Sequence, residues 1–400
     1  MGILAFAAKL IVVALLLNMP EKIISPMTIS RLQTNVIPLV ALPENFEPPA
    51  SFRSPYKWDA LPDEVYAPEW NPTTREKVAL GEKLFFDKSL SWDSRISCAS
   101  CHDVQHGAGV DGLATSKGIN GQVGKRNSPT VWNAAFQLKL FWDGRASSLE
   151  EQAKGPLINP SEMGMPSLKV VEERVASSSR YQKEFREIFG KNTPITIENI
   201  AAAIAAYERT LITPDSAYDK FVKGNSVALT SSQLRGMALF ESVGCVRCHS
   251  GPNFSGASIF DGTSPLRPFP IFKTPYTEKY KFTDDFGLSQ HGSDNGVWRI
   301  PSLRNVALTG PYFHNGSVTS LEEAVRIMVS TQLGRSEKDM PNIGSTVLWL
   351  RSGRTLTFIN RTPIRDVDIK DITAFLRSLS SEKLLEQIDE QHYKRPPLSY

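Results

Sequence analysis

The sequence predicts a mainly α-helical chain made of two similar units in tandem, with a small β-hairpin inserted in the second. Three observations predict this. First, a segment occurs twice: Ala79-Leu80-Gly81-Glu82-Lys83-Leu84-Phe85 stands ahead of Cys98-Ala99-Ser100-Cys101-His102, and Leu234-Arg235-Gly236-Met237-Ala238-Leu239-Phe240 stands ahead of Cys245-Val246-Arg247-Cys248-His249. Each copy reads as a helix carrying a glycine, then Leu-Phe, then a turn into C-x-x-C-H, and two copies imply duplication of one unit. Second, apolar residues recur at the spacing of a helix face through most of the chain. Third, strand signal is weak outside one short stretch.

Taken in order, the chain opens on an apolar run, Leu10-Ile11-Val12-Val13-Ala14-Leu15-Leu16-Leu17, preceded by Lys9. Residues 1–19 read as a signal peptide or an N-terminal membrane anchor, long enough for the first and marginal for the second. Residues 20–72 carry Pro43, Pro48, Pro49, Pro55, Pro62, Pro68 and Pro72 without periodicity. That is the pattern of an extended linker, packing in part on the body. Helical structure is expected from Thr73-Thr74, ahead of Val78, Leu80 and Leu84. Val170-Val171, Val175, Phe185 and Phe189 mark a further helical region, and Ile197, Ile200, Ile204, Tyr207 and Leu211 form one stripe. Leu321, Ala324, Val325 and Met328 share a helix face. Ile369, Ile372, Leu376 and Leu379 form the last strong helix, behind cap candidates Asp366 and Asp368. Thr346–Arg351 and Thr355–Asn360, flanking Ser352-Gly353-Arg354, predict the hairpin. The two units span residues 73–222 and 223–400.

Composition is that of an ordinary globular protein, with 41% apolar and 22% charged residues, and 400 residues suffice for two cores. A formal charge of +3, with no block of Lys and Arg, gives no sign of a nucleic-acid partner. The four cysteines decide the chemistry, because all of them fall in the two C-x-x-C-H motifs. This is the pattern of covalent c-type haem attachment, in which the thiols bond the haem and the adjacent His ligates iron. Two disulfides or a thiolate zinc site do not require a His directly after the second Cys twice over. Each unit is therefore cytochrome-c-like. Cys98, Cys101 and His102 hold one haem c, and Cys245, Cys248 and His249 hold the other. Covalent haem attachment in bacteria requires export, which places the body in the periplasm.

The sixth iron position decides what each haem does. Met328 lies downstream of the second motif on an apolar helix face, where it is a candidate sulfur ligand or plain core. Peroxide cleavage needs a group that takes a proton from one oxygen and delivers it to the other. Glu162, in Asn159-Pro160-Ser161-Glu162-Met163 downstream of the first motif, is a candidate for that work or a surface carboxylate.

From about residue 74 to 380 the chain resembles the bacterial di-haem cytochrome c peroxidase family, which includes the di-haem enzymes that mature methylamine dehydrogenase. The stretches that carry the resemblance are Ser97–His102, Arg126–Thr130, Phe141-Trp142-Asp143-Gly144-Arg145, Leu149–Pro156, Glu162-Met163, Leu211–Ser216, Cys245–Gly251, Pro301–Val306 and Pro311-Tyr312-Phe313-His314-Asn315-Gly316. The resemblance implies that Glu162 is the acid/base group over a peroxidatic haem, with Gln152 and Pro156 shaping the same pocket. It implies that Trp142 lies between the haems as an electron relay, and that Met328 is the sixth ligand of the electron-transferring haem. It also implies one calcium ion between the units, at Asn127, Thr309 and Pro311, held by a side-chain amide and carbonyls as a hard cation prefers. In one respect the chain departs from the family. Many members carry a distal His in a loop after Thr-Ser, whereas Thr115-Ser116-Lys117-Gly118-Ile119-Asn120-Gly121 has Ile119 there. His106 is too close in sequence to proximal His102 to reach the opposite haem face readily, which leaves His291 and His392 as substitutes for that ligand.

The expected function is reduction of hydrogen peroxide with electrons from a small donor, a cytochrome c or a cupredoxin. Two alternatives stand beside it: oxidation of a protein side chain, as in the maturation enzymes, and electron transfer without catalysis. A homodimer and a membrane tether through the N-terminus are further expectations.

Overall fold

Helices begin where the sequence supplies an acceptor for the free N–H groups of a first turn. In the computed structural model, which describes residues 56–260, 265–289, 296–334, 347–350, 354–357 and 364–394, α1 (Arg75–Phe86) starts at Thr74, whose hydroxyl accepts from Lys77 N. The expected segment 1–19, most of 20–72 and His291 lie outside the described residues. One turn, α2 (Cys98–Cys101), carries the first haem motif. Ser148, Ser167, Ser178 and Thr196 cap α3 (Leu149–Ile158), α4 (Leu168–Ala176), α5 (Ser179–Phe189) and α6 (Ile197–Glu208) in the same way. Reciprocal capping boxes start α7 (Ala217–Val222), through Ser216 and Asp219, and α8 (Ser231–Val243), through Thr230 and Gln233. Downstream come α9 (Pro275–Lys279), α10 (Leu321–Ile327), α11 (Asp366–Arg377) and α12 (Glu382–Lys394). The helical region expected across Val170–Phe189 is two helices, because Ser178 interrupts it and caps the second.

Two short antiparallel pairs complete a mainly helical fold. Strand β1 (Leu266–Phe269) pairs with β2 (Gly296–Arg299), Leu266 opposite Arg299. Sequence reading missed this pair, since Pro268 lies inside β1 and Pro270 follows it; proline survives in a strand only at an edge. The expected hairpin is present as β3 (Val347–Leu350) and β4 (Arg354–Thr357), with Leu350 opposite Arg354.

Two principal apolar clusters form around the two pairs of crossing helices. Leu80, Leu84 and Phe85 of α1 pack with Val171, Phe185, Ile200, Ile204 and Tyr207. Met237 and Phe240 of α8 pack with Tyr218, Phe254, Ile372 and Phe375. The chain ends cross over: Leu384 of α12 joins the first cluster, while Trp58, ahead of α1, joins the second. A third cluster gathers Phe269, Phe282, Trp298 and Ile327, with Met328 against it.

The repeated glycines explain why the two helix pairs pack so closely. A Cβ on Gly81 would lie 1.9 Å from Ala203 O of α6, and a Cβ on Gly236 would lie 1.9 Å from Asp371 O of α11. Both obstacles are backbone, so neither helix can take a side chain there without separating. Gly236→Ala should cost about 1–3 kcal/mol or more through overpacking. Denaturant unfolding of the variant beside a Gly124→Ala control, where a Cβ meets nothing nearer than 3.8 Å, checks this; equal midpoints would mean that the crossing relaxes freely.

Candidate functional site

The two C-x-x-C-H motifs open onto one cavity of about 1250 Å³. That exceeds the roughly 300–1,000 Å³ of a pocket for one small molecule. Cys98, Cys101 and His102 line one part of it, and Cys245, Cys248, His249 and Met328 line another. The four cysteines form no disulfide. Burial, helped by the nearby Glu208 carboxylate, pushes the Cys98 thiol up to about 12, and burial pushes Cys101 up to about 11. Neither has the basic surroundings that draw out a metal-binding thiolate.

Both motif histidines are set up alike. His102 Nδ1 lies 3.4 Å from Gly109 O, and His249 Nδ1 lies 3.2 Å from Phe254 O. A carbonyl partner on Nδ1 favours that nitrogen as the N–H and Nε2 as the metal ligand, and the carbonyls of Pro129 and Pro301 also face the two rings. Burial lowers the pKa of both rings, that of His249 to about 4, which keeps them neutral as ligation requires. The residues present therefore fit two haems attached through these motifs.

Over the first motif, the C-terminal end of α3 and the turn after it bring together Gln152, Pro156 and Glu162, all lining the cavity. Asn159 Nδ2 donates to Glu162 Oε1 at 2.8 Å. Burial raises the Glu162 pKa above its ordinary value, against the opposing pull of Arg145 and the Asn159 bond. Ile119 is buried beside this turn: its N–H donates to Glu162 O at 2.9 Å, and a Cβ on Gly164 would meet its Cδ1 at 2.0 Å. His106 is exposed on the loop after His102, held by Asp103 through its backbone N–H.

Met328 follows α10 at the start of a wider turn, Met328–Gln332, rather than lying within the helix as its spacing suggested. Its side chain is half-buried at the cavity wall. Trp142, Asn127, Thr309 and Pro311 occupy the cavity wall as well. Trp142 Nε1 donates to Asn127 O at 2.8 Å, and Asn127 N donates to His314 O at 2.8 Å. Asn127 Nδ2 donates to Leu113 O and Ala114 O, leaving Oδ1 as the acceptor end of the amide.

Two turns in this wall have matching shapes. Phe141 (φ 63°) precedes Trp142-Asp143-Gly144 with Gly144 at φ 71°, and Phe313 (φ 69°) precedes His314-Asn315-Gly316 with Gly316 at φ 60°. Leu140 bridges Ala146 across the first turn, and Tyr312 bridges Val318 across the second. Each turn then leads through a serine cap, Ser148 or Ser320, into a helix that begins with leucine. Counted from those caps, Pro156 and Met328 stand at the same position. Upstream, Asn133 and Asn305 both take left-handed φ, and both donate to the Thr213 hydroxyl, at 2.7 and 3.0 Å.

Sequence reading passed over three residues of the pocket. Phe141 lines it, with its ring over Gly155 of α3. Arg145 stacks on Phe141 at 3.5 Å and is paired with Asp143 at 2.9 Å. Glu208 is buried with Oε2 unpartnered, and burial raises its pKa to about 8. For Glu208 the available signal was a charged pair, Glu208-Arg209, closing an otherwise apolar helix.

Comparison with known proteins agrees with this geometry. The family model for di-haem cytochrome c peroxidase matches residues 75–227. The cytochrome c551 peroxidase of Pseudomonas aeruginosa is 43% identical over 289 residues, 71% of this chain and 81% of that protein. The methylamine utilization protein MauG of Methylorubrum extorquens is 36% identical, over 65% of this chain and 70% of that protein. Among solved structures, a MauG-like protein associated with microbial copper homeostasis superposes with a TM-score of 0.65 at 30% identity, covering 83% of this chain and 98% of that one. With its two haem-attachment motifs on one cavity and relatives at this identity and coverage, the chain belongs to the di-haem cytochrome c peroxidase family.

Proposed function

We propose that the protein reduces hydrogen peroxide to water at the first haem site, with electrons that enter at the second. The observation that carries this reading is the difference between two matching positions. At the second site the residue after α10 is Met328, a sulfur donor; at the first the corresponding residue is Pro156, which has none, and Glu162 stands nearby. One site is thus suited to hold a sixth ligand and the other to leave room for a substrate. The matched turns and the repeated glycine helices also support duplication of a one-haem unit, with residues 73–222 and 223–400 as its copies.

The haems, when bound, supply the iron that accepts peroxide and the route for two electrons. Reduction of one peroxide to two waters consumes two electrons and two protons, and the proton work falls to Glu162. As the carboxylate it takes a proton from the near oxygen; as the acid it returns that proton to the leaving oxygen. Its raised pKa brings the two forms closer to balance near neutral pH, and Asn159 keeps the carboxyl oriented. Gln152 and Pro156 shape the space in which peroxide lies. Trp142, whose indole N–H is held by Asn127 O in the cavity wall, serves as the relay. Asn127 Oδ1 with the carbonyls of Thr309 and Pro311 would hold a calcium ion by hard-oxygen chemistry. The donor is a small periplasmic redox protein, a cytochrome c or cupredoxin. A second reading, oxidation of a protein side chain, draws on Ile119, which offers no ligand to close the first site.

Stopped-flow mixing of peroxide with protein and reduced cytochrome c tests the main reading. Wild type should oxidise the donor rapidly, and Glu162→Gln should bind peroxide yet turn over roughly 10²–10⁴-fold more slowly. Unchanged turnover would remove Glu162 from the mechanism. Met328→His should lower the potential of one haem and leave the other in place; two unmoved potentials in a redox titration would make Met328 a core residue. Because the buried Ile119 has no donor atom, the fully oxidised protein should show one high-spin haem by electron paramagnetic resonance and react with peroxide without prior reduction. Two low-spin signals in the resting protein would contradict that.

A further inference from the structure

Residues ahead of α1 reach the second haem motif through a chain of bonds that the function above does not use. Trp58 and Leu61 are buried, and Trp58 meets Tyr218 at 6.1 Å and Phe375 at 5.8 Å between ring centres. Leu61 N donates to Asp219 Oδ1 at 2.9 Å, and the Tyr218 hydroxyl donates to Asp59 O at 3.1 Å. Tyr56 packs edge-on against Trp58 at 4.6 Å. Its hydroxyl accepts from Gly251 N at 2.8 Å, two residues beyond His249.

The loop from His249 to Phe254 is held at successive residues from outside. Tyr56 holds Gly251, which has φ 67°. Arg304 Nε donates to Pro252 O at 2.7 Å, and Ser302 Oγ donates to Asn253 O at 2.7 Å. Phe254 O lies 3.2 Å from His249 Nδ1, and Pro301 O also faces the ring. Arg304 is fully buried and pairs at 2.7 Å with Asp219, the same carboxylate that accepts Leu61 N. The loop after His102 is held by other partners: Gly109 N donates to Asp103 O, Thr130 donates to Ala108 O, and Gln387 of α12 donates to Val104 O at 3.0 Å.

We propose that Tyr56–Leu61 is a positioning strap for the second haem site, in which the Tyr56 hydroxyl acts through the Gly251–Phe254 loop on His249. The physical basis is the acceptor on Nδ1–H. A well-placed carbonyl there fixes the ring and makes the imidazole a stronger donor to iron, which favours the oxidised metal. Without the Tyr56 acceptor the Gly251 N–H loses its partner, the loop loosens, and the Phe254 carbonyl is held less firmly against Nδ1. The strap therefore sets the potential at which electrons enter. This rests on the reading of His249 as a haem ligand.

Tyr56→Phe in the haem-loaded full chain keeps the ring against Trp58 and removes the hydroxyl that accepts from Gly251 N. A redox titration that resolves the two haems should show the equilibrium constant for reducing the second haem rising about threefold, less than the 10–100-fold typical of direct ligand partners. The first haem should not move, and the shifted proton resonance of His249 Nδ1–H should change in NMR. Unmoved potentials and an unmoved resonance, in a variant carrying both haems, would overturn the strap; so would equal shifts at both haems, which mean general loosening. Haem stoichiometry separates the underlying reading, because a wild-type chain with one haem would remove the second site itself.

Discussion

The two crossings at Gly81 and Gly236 are the constraint on which the rest of the molecule depends. The second C-x-x-C-H motif follows its glycine helix directly and the first follows after a short segment, and Cys98 and Cys245 each pack against the cluster that their helix builds. With the backbone of α6 or α11 already where a Cβ would stand, the helices sit closer than side chains allow. The close contact turns Leu84-Phe85 and Leu239-Phe240 into the buried floor of each cluster, and each motif emerges beside its own floor. A wider crossing would displace the cysteines and the histidine together.

Two turns of matching shape set the positions at which the proposed chemistry of the two sites differs. Phe141 and Phe313 make the same left-handed entry into the same kind of turn. Behind them stand Trp142 and His314, and one helical stretch further on stand Pro156 and Met328. A thioether and a proline ring both fill volume, but only the first offers a lone pair. The open side gains Glu162 from a tight turn after α3, where Met163 N returns to Pro156 O and Glu162 N to Asn159 O. The carboxylate is thus carried by backbone bonds from the very residues that shape the pocket.

Much of this was legible in the sequence, because the informative residues have few alternatives. C-x-x-C-H fixes its own chemistry, Ser and Thr caps announce the helix starts, and glycine in a repeated helix signals close approach. What was not legible depends on contacts between distant segments. Pro268 argued against a strand that forms because it has one partner only. Glu208 reads as a helix-end charge until the fold surrounds it. Tyr56 lies in a proline-rich stretch with no periodicity, and its partner Gly251 is far along the chain. The likeness of Phe-Trp-Asp-Gly to Phe-His-Asn-Gly is only two residues deep, too little for a sequence repeat and plain once both turns share their dihedral angles.

The cavity wall carries charge that a simple apolar lining would avoid. Arg126 joins Asp143 at 2.6 Å and Asp285 at 2.7 Å, and lies over the Trp298 ring at 5.1 Å. Removing such ions from water is costly, so each is paired and hydrogen-bonded rather than left alone. Trp142 lines the same cavity. Its indole N–H is held by the Asn127 carbonyl, a group that accepts a hydrogen bond but cannot take a proton away. An electron leaving this ring therefore leaves without its proton, and the ring recovers by electron return alone. In the proposed mechanism a relay held this way needs no base beside it, and the proton work of the reaction stays with Glu162.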